Sequence, residues 1–360
     1  MALIASIKHM TSDIAEYEAE TIPGIETFAL DELYRLYGRE VSQVRQTRPG
    51  FLRFRYRGAP QTLSLLRSII AIYRIHCFSI PRPRALLGHE HFTRLTMILR
   101  QTAASFNIVP ETLGIGAAGS QSSVFRRLRL ELSAALALQP ADDGKGELFL
   151  RLIRQADGPG WELLVRTTAQ PLSKRGYRVA DVPGALNATV AFAMTCCGSL
   201  PHKARVVNLC SGSSTILIEH SLTRAADSLF GVDTCGDMLN IGRRNTRAAG
   251  MSAAIGHLLA DARRAPLPSR SVDRLYADLP FGHHIGSHQD NLKLYPAILQ
   301  EAQRLAQAHT TFVVLTHEVK LMKRCLGNSA WQITDETVIN LRGLHPRLFV
   351  LNQNSARIVK

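Results

Sequence analysis

Acidic residues are scarce in this 360-residue chain: 29 Asp and Glu stand against 43 Lys and Arg, a formal charge of +14. That balance makes polyanions the expected macromolecular partners. The deficit is sharpest between Val41 and Arg100, where eleven arginines are accompanied by one acid, Glu90. Arginine suits forked phosphate contacts and stacking on bases, although some of these side chains are expected simply to be solvated. Long apolar runs are also missing. Met1–Met10 has no sustained apolar core of signal-peptide type, and the stretch Leu63–Ile80 is broken by Arg67 and Arg74, so no membrane partner is expected. The six cysteines, Cys77, Cys196, Cys197, Cys210, Cys235 and Cys325, have no metal-type spacing, and the apolar pair Cys196-Cys197 reads as buried thiol in a reducing cytoplasm. His283, His284 and His288 come without a carboxylate or cysteine ligand set, so no metal is expected. His317-Glu318 lacks the second histidine of a zinc-protease helix. Internal repeats are absent, and the length favours more than one domain.

The N-terminal half reads as α+β. Tyr17–Thr21 is a short strand, Pro23-Gly24 a turn, and Glu26–Leu36 a helix with Phe28, Leu30, Leu33 and Leu36 on its apolar side. Phe51–Arg57 alternates apolar residues with Arg53, Arg55 and Arg57, the pattern of a half-buried strand with its arginines on one face. A helix over Gln61–Ile72 and a strand over Ile75–Ile80 would complete a ferredoxin-like unit over residues 1–83. From 84 to 170 the expected order is helix (His91–Ser105), strand (Thr112–Ala117), helix (Ser122–Leu138) and strands Gly146–Ile153 and Trp161–Thr167 about the turn at Asp157-Gly158-Pro159-Gly160. Arg126, Arg127 and Arg129 are candidate phosphate contacts on the second helix, with pairing to Glu131 as the alternative.

Residues 171–360 read as α/β. Val206-Val207-Asn208-Leu209-Cys210-Ser211-Gly212-Ser213-Ser214-Thr215 is a β-branched run, a small-residue turn and a helix start, the geometry that brings backbone N–H groups close to a ligand. An acid at the end of the next strand, roughly 20 residues on, is placed for ribose hydroxyls, and Asp233 supplies it. Ala254–Ala260 leads to Asp261-Ala262, and Val272–Ala277 to Asp278-Leu279-Pro280-Phe281-Gly282. Successive βα units of this kind put their polar strand ends along one crevice of a parallel sheet. The last segment fits a base amine whose lone pair is delocalised: Asp278 and the Leu279 carbonyl can accept its hydrogens while Phe281 offers a flat face.

This series resembles class I S-adenosylmethionine-dependent methyltransferases, and more narrowly the RNA guanine-N2 methyltransferases that carry a THUMP domain. Leu279 stands where one subgroup replaces the first proline of its catalytic motif, and Gly286-Ser287, Asn291, Leu294-Tyr295-Pro296, Leu299, Glu301 and Arg304 match that subgroup downstream. Upstream, Leu172-Ser173-Lys174-Arg175-Gly176-Tyr177-Arg178 and Pro183-Gly184-Ala185-Leu186-Asn187 are similar to the family's junction of RNA-binding and catalytic halves. Pro23-Gly24-Ile25-Glu26 also has a counterpart there, and the segment 84–170 takes the position of the THUMP domain.

The resemblance implies a mostly parallel seven-stranded Rossmann-like sheet, S-adenosylmethionine as cofactor, and a structured RNA, tRNA foremost, as partner. It implies that Asn208, Ser211, Gly212, Ser214 and Thr215 hold the methionine portion, Asp233 with Thr234 the ribose, and Asp261 with Ala262 the adenine. Asp278, Leu279, Pro280 and Phe281 would form the catalytic segment, and Lys174, Arg175 and Arg178 would join Arg53, Arg55, Arg57, Arg126 and Arg127 on RNA. Two departures stand out: Asn208 replaces the family's first-turn acid and Ser214 its second glycine. Should residue 214 need a positive φ, cofactor affinity falls. An RNA-binding protein with a weak methyltransferase fold is therefore the alternative, and DNA adenine, ribosomal RNA or protein glutamine are alternative acceptors. A nicotinamide oxidoreductase would leave Asp278-Leu279-Pro280-Phe281 without a role.

Overall fold

The computed structural model describes residues 14–141, 145–156, 158–180, 182, 184–200, 203–280, 287–341 and 343–353. They divide into two compact units, one of Met1–Thr21 and Ala29–Ser173, the other of Ile22–Phe28 and Lys174–Lys360.

In chain order the first unit contains β1 (Ala15–Thr21), most of α1 (Glu26–Tyr37), β2 (Val41–Arg48), β3 (Phe51–Tyr56), β4 (Ile69–Phe78), α2 (His89–Ser105), β5 (Thr112–Ala117), α3 (Ser123–Leu136), β6 (Gln139–Pro140), β7 (Leu148–Arg154) and β8 (Trp161–Arg166). All eight strands form one sheet in the order β2-β3-β1-β4-β8-β7-β5-β6. The strands expected of the ferredoxin-like segment and those expected of the THUMP-like segment meet at β4 and β8, antiparallel from Tyr73 opposite Arg166 to Phe78 opposite Trp161. Leu52, Phe54 and Tyr56 alternate inward on β3 and pack with Leu33 of α1 and Tyr17 of β1. Leu95 and Leu99 of α2 and Leu128 and Leu132 of α3 cover Leu113, Leu150 and Leu163 farther along the sheet.

One expected helix is absent. Gln61–Ile72 forms a 3-10 turn over Pro60–Leu65 and then enters β4 at Ile69. The buried Glu32 carboxylate of α1 accepts from the N–H groups of Arg67 (3.0 Å) and Ser68 (2.8 Å), which turns the chain out of helical geometry. The β-branched residues Ile69, Ile70 and Ile72 then favour the extended form. Val41–Arg48, not anticipated as a strand, pairs with β3 as a mostly exposed edge.

The second unit adds α4 (Ala188–Cys196), β9 (Ala204–Leu209), α5 (Thr215–Thr223), β10 (Ala226–Asp233), α6 (Gly236–Ala248), β11 (Ile255–Leu259), β12 (Val272–Asp278), α7 (His288–Leu305), β13 (Ala306–Thr316), α8 (Val319–Gly327), β14 (Trp331–Val338) and β15 (Arg347–Gln353). Its seven-stranded sheet runs β11-β10-β9-β12-β13-β15-β14, parallel from β11 to β13, with β15 antiparallel to both its neighbours. Val207, Leu209, Leu275, Ala277, Phe312 and Val314 pack in one core with Tyr295, Leu299 and Met322 of α7 and α8. Strand alternation turns Asn208 and Tyr276 to the other face, where His220 Nδ1 of α5 lies 3.0 Å from the Tyr276 hydroxyl.

The Asn187 side chain accepts from the Thr189 N–H at 2.8 Å to begin α4, a helix buried from Ala188 to Thr195. Asn187→Ala should therefore cost about 1 kcal/mol, seen as a lower denaturant midpoint with an unchanged slope.

Candidate active site at the carboxyl edge of the second sheet

The strand register decides whether the expected residues meet. Leu209 of β9 lies opposite Val232 of β10 on one side and Ala277 of β12 on the other, so Asp233 and Asp278 both emerge level with Cys210. Asp233 itself pairs with Leu259, two residues before Asp261. These strand ends flank the switch point between β9 and β12, whose onward connections to β10 and β13 run in opposite directions, the place where open α/β sheets take ligands. The convergence has an electrostatic signature. Burial, and then the carboxylates of Asp233, Asp278 and Asp261, push the Cys210 thiol up to about 12.

The turn after β9 has left-handed backbone at Cys210 (φ 62°), Gly212 (φ 51°) and Ser214 (φ 63°). It is tied down by Asp233, whose Oδ2 accepts from the Gly212 N–H (2.7 Å) while Oδ1 accepts from the Cys235 N–H (2.9 Å). The acid read from the sequence as a ribose ligand thus also fixes the shape of the loop. A Cβ added at Gly212 would meet no atom within 4 Å, so the turn borders open space. Asn208 is 1% exposed, and its Oδ1 has no partner among the described residues. Ser211 N–H donates to the Val232 carbonyl (2.9 Å), Ser213 Oγ lies 3.1 Å from Thr215 Oγ1 at the start of α5, and Thr234 is exposed just beyond β10. An open turn, an orphaned buried oxygen and a helix start are compatible with a small polar ligand such as S-adenosylmethionine. Ala262 is buried, whereas the Asp261 carboxylate is gripped by the Arg263 guanidinium (Nη2 to Oδ2, 2.7 Å), which lowers its pKa. An adenine amino group would have to share that carboxylate.

Asp278 is different. Its Oδ1 is closed to solvent and has no partner among the described residues, and burial raises its pKa to about 7. The segment that follows is held from behind. Leu279 is buried, and its N–H donates to the Leu315 carbonyl (3.0 Å). The Pro280 carbonyl accepts from Asn291 Nδ2 (3.0 Å) and from the Tyr295 hydroxyl (2.9 Å), both on α7. Thr316 Oγ1 lies 2.7 Å from the same hydroxyl, and Glu318 accepts from Asn291 at 3.1 Å. Glu301 and Arg304 pin the loop after Asp261: Glu301 accepts from the Ala265 N–H (2.8 Å), and Arg304 donates to the carbonyls of Leu267 and Ala265 (both 3.0 Å). Asn291, Tyr295, Glu301 and Arg304, met above only as family matches, act here by position. Phe281, His283 and His284 lie outside the described residues, and His288 Nδ1 sits 2.7 Å from Glu318 Oε2. Among the described residues no group of three His, Cys, Asp or Glu could hold a metal ion, and no helix is long and apolar enough to cross a membrane.

The expected RNA contacts separate into two kinds. Arg53 is not a surface cation: Nε donates to Glu18 (3.0 Å) and Nη1 to Glu162 (2.9 Å), with its side chain 12% exposed. Arg175 likewise pairs with the fully buried Glu219 at 3.0 Å, beside the Tyr177 hydroxyl at 2.6 Å from the same oxygen. Both correct the sequence reading, which could not see acids brought near from distant strands and helices. Arg178 is partly buried and reaches the Leu186 carbonyl (3.3 Å), and Arg127 pairs with Glu131 (2.7 Å). Arg55, Arg57, Arg126 and Lys174 are exposed.

Residues 175–347 match the family UPF0020, described as an RMKL-like methyltransferase domain. Over 345 residues the chain is 29% identical to a tRNA (guanine(6)-N2)-methyltransferase of Thermus thermophilus, covering 93% of this chain and 99% of that one. It is 31% identical over 148 residues to a U6 snRNA (guanine-N(2))-methyltransferase of Bos taurus, covering 41% and 28% of the two chains. The crystal structure of TrmN from Thermus thermophilus superposes with a TM-score of 0.71 at 25% identity, covering 94% of this chain and 99% of the other.

The raised pKa of Asp278 fixes the direction of a pH effect. The folded state holds this proton more tightly than the unfolded chain, so the group's contribution to stability is full below its ordinary value of 3.8 and is lost as pH rises through about 7. Asp278→Asn should then be more stable than the parent at pH 8, by something of the order of a few kcal/mol, with the gap narrowing to less than half of that at pH 5. Urea unfolding at the two pH values checks this.

Proposed function

We propose that this chain, whose residues 175–347 belong to the RMKL-like methyltransferase domain family, methylates the exocyclic N2 amine of a guanosine in structured RNA, tRNA foremost, using S-adenosylmethionine. The single observation that carries this reading is the buried Asp278 oxygen, without a partner among the described residues, at a strand end level with the first turn. S-adenosylmethionine, when bound, would supply an electrophilic methyl carbon and a neutral thioether leaving group. Asp278 accepts an N2–H, which restores nucleophilic character to a lone pair otherwise shared with the ring, and the Leu279 carbonyl is the second acceptor. As the new N–C bond forms, the surplus amine proton passes to Asp278, whose carboxylate is poised near neutrality to take it. Asn291 and Tyr295 hold the Pro280 carbonyl and so fix the acceptors' direction.

The target base has to leave its stack to reach this edge. RNA as the acceptor is supported by the relatives named for tRNA and U6 snRNA methylation and by the charge of +14. Arg55, Arg57, Arg126 and Lys174 are the proposed phosphate contacts. A cytoplasmic setting belongs to the same reading and rests on six free thiols. A weak or inactive fold is the second reading, favoured by the left-handed backbone of Ser214. Saturable calorimetric binding of S-adenosylmethionine decides between them.

Radiolabelled methyl transfer to total RNA, followed by nuclease digestion, should place label in N2-methylguanosine and lose it in Asp278→Ala; equal labelling by both proteins overturns the assignment. Tyr295→Phe should slow methyl transfer by about tenfold, with cofactor affinity unchanged, as one positioning hydrogen bond is lost.

A further inference from the structure

Residue 214 is 0% exposed and sits at φ 63°, ψ 20°, a left-handed conformation that glycine adopts freely and a residue with a Cβ does not. A serine there has to be held. Its hydroxyl lies 3.1 Å from Nε2 of His257, in the middle of β11, and 3.4 Å from the Ser211 hydroxyl in the same turn. Space for the hydroxyl comes from α6: a Cβ on Gly242 would stand 2.6 Å from Ser214 Oγ and 3.3 Å from His257 Nε2. The imidazole is orientated further by Thr246 Oγ1 at 3.5 Å, and desolvation, followed by the Arg243 charge, lowers its pKa. A neutral ring keeps one nitrogen able to accept from a hydroxyl.

We propose that His257 is a positioning residue of the cofactor loop: its bond to Ser214 Oγ holds residue 214 in the left-handed form, so that the turn between β9 and α5 keeps the shape that receives S-adenosylmethionine. The glycine absent from the turn has its counterpart in Gly242, which admits the serine side chain, and His257 supplies the restraint that a glycine would not need. The assignment rests on the methyltransferase reading of the same turn.

The test is a cycle read by calorimetry with S-adenosylhomocysteine, on the full chain, using His257→Ala, Ser214→Gly and the double variant. His257→Ala should weaken binding about tenfold where Ser214 is present and less than twofold where residue 214 is glycine. Ser214→Ala, which keeps the Cβ and loses the hydroxyl, should lose as much as His257→Ala, whereas Ser214→Gly should bind at least as tightly as the parent. His257→Gln, with a neutral polar group of similar reach, provides a second variant should the alanine protein fail to fold, and it should retain most of the affinity. Equal losses from His257→Ala on both backgrounds, or none on the serine background, would overturn the role of His257 while leaving the methyltransferase reading intact. Failure of the parent protein itself to bind would sink that reading first, and this proposal with it.

Discussion

The parallel pairing of β9 with β10 on one side and β12 on the other is the constraint on which the site depends. Because Leu209 lies opposite both Val232 and Ala277, a shift of one residue in either ladder would send Asp233 or Asp278 to the wrong level and the wrong face. Nothing local compensates for such a shift, since the two acids come from strands more than 40 positions apart in the chain. The core beneath enforces the register. Leu209, Ala277 and Val314 alternate toward α7 and α8, and that burial leaves intervening positions such as Asn208 and Tyr276 to the opposite face.

The carboxylates collected at this edge are kept in different states by their neighbours. Asp233 is satisfied by two backbone donors, Asp261 is matched by an arginine, and the Asp278 Oδ1 has no partner among the described residues in a poorly solvated place. Three acids of one chemical type are thereby held in three environments: tied to backbone donors, paired with a guanidinium at the rim, and buried where the proton is held more tightly than in water.

Much of the second unit was legible because parallel strands buried on both faces write themselves as β-branched runs ending on a polar residue, as in Val206–Leu209 and Val272–Asp278. Long-range pairings were not. Nothing around Arg53 announces Glu162, and nothing around Arg175 announces Glu219, so arginines that looked like phosphate ligands proved to be structural. The segment Gln61–Ile72 failed likewise, because the carboxylate that turns it comes from Glu32 on another element. In the site itself the acids were visible, while the struts behind them, Asn291 and Tyr295, were visible only as matches without a mechanism.

The junction of β4 with β8 bears on how the first unit was assembled and how it can be taken apart. Were the chain divided between those strands, each fragment would present a long, apolar, unpaired margin: Ile75 and Phe78 on one, Leu163 and Val165 on the other. Such margins recruit foreign strands and precipitate. The two N-terminal segments share one sheet, and a truncation that removes either is expected to cost the solubility of the one left.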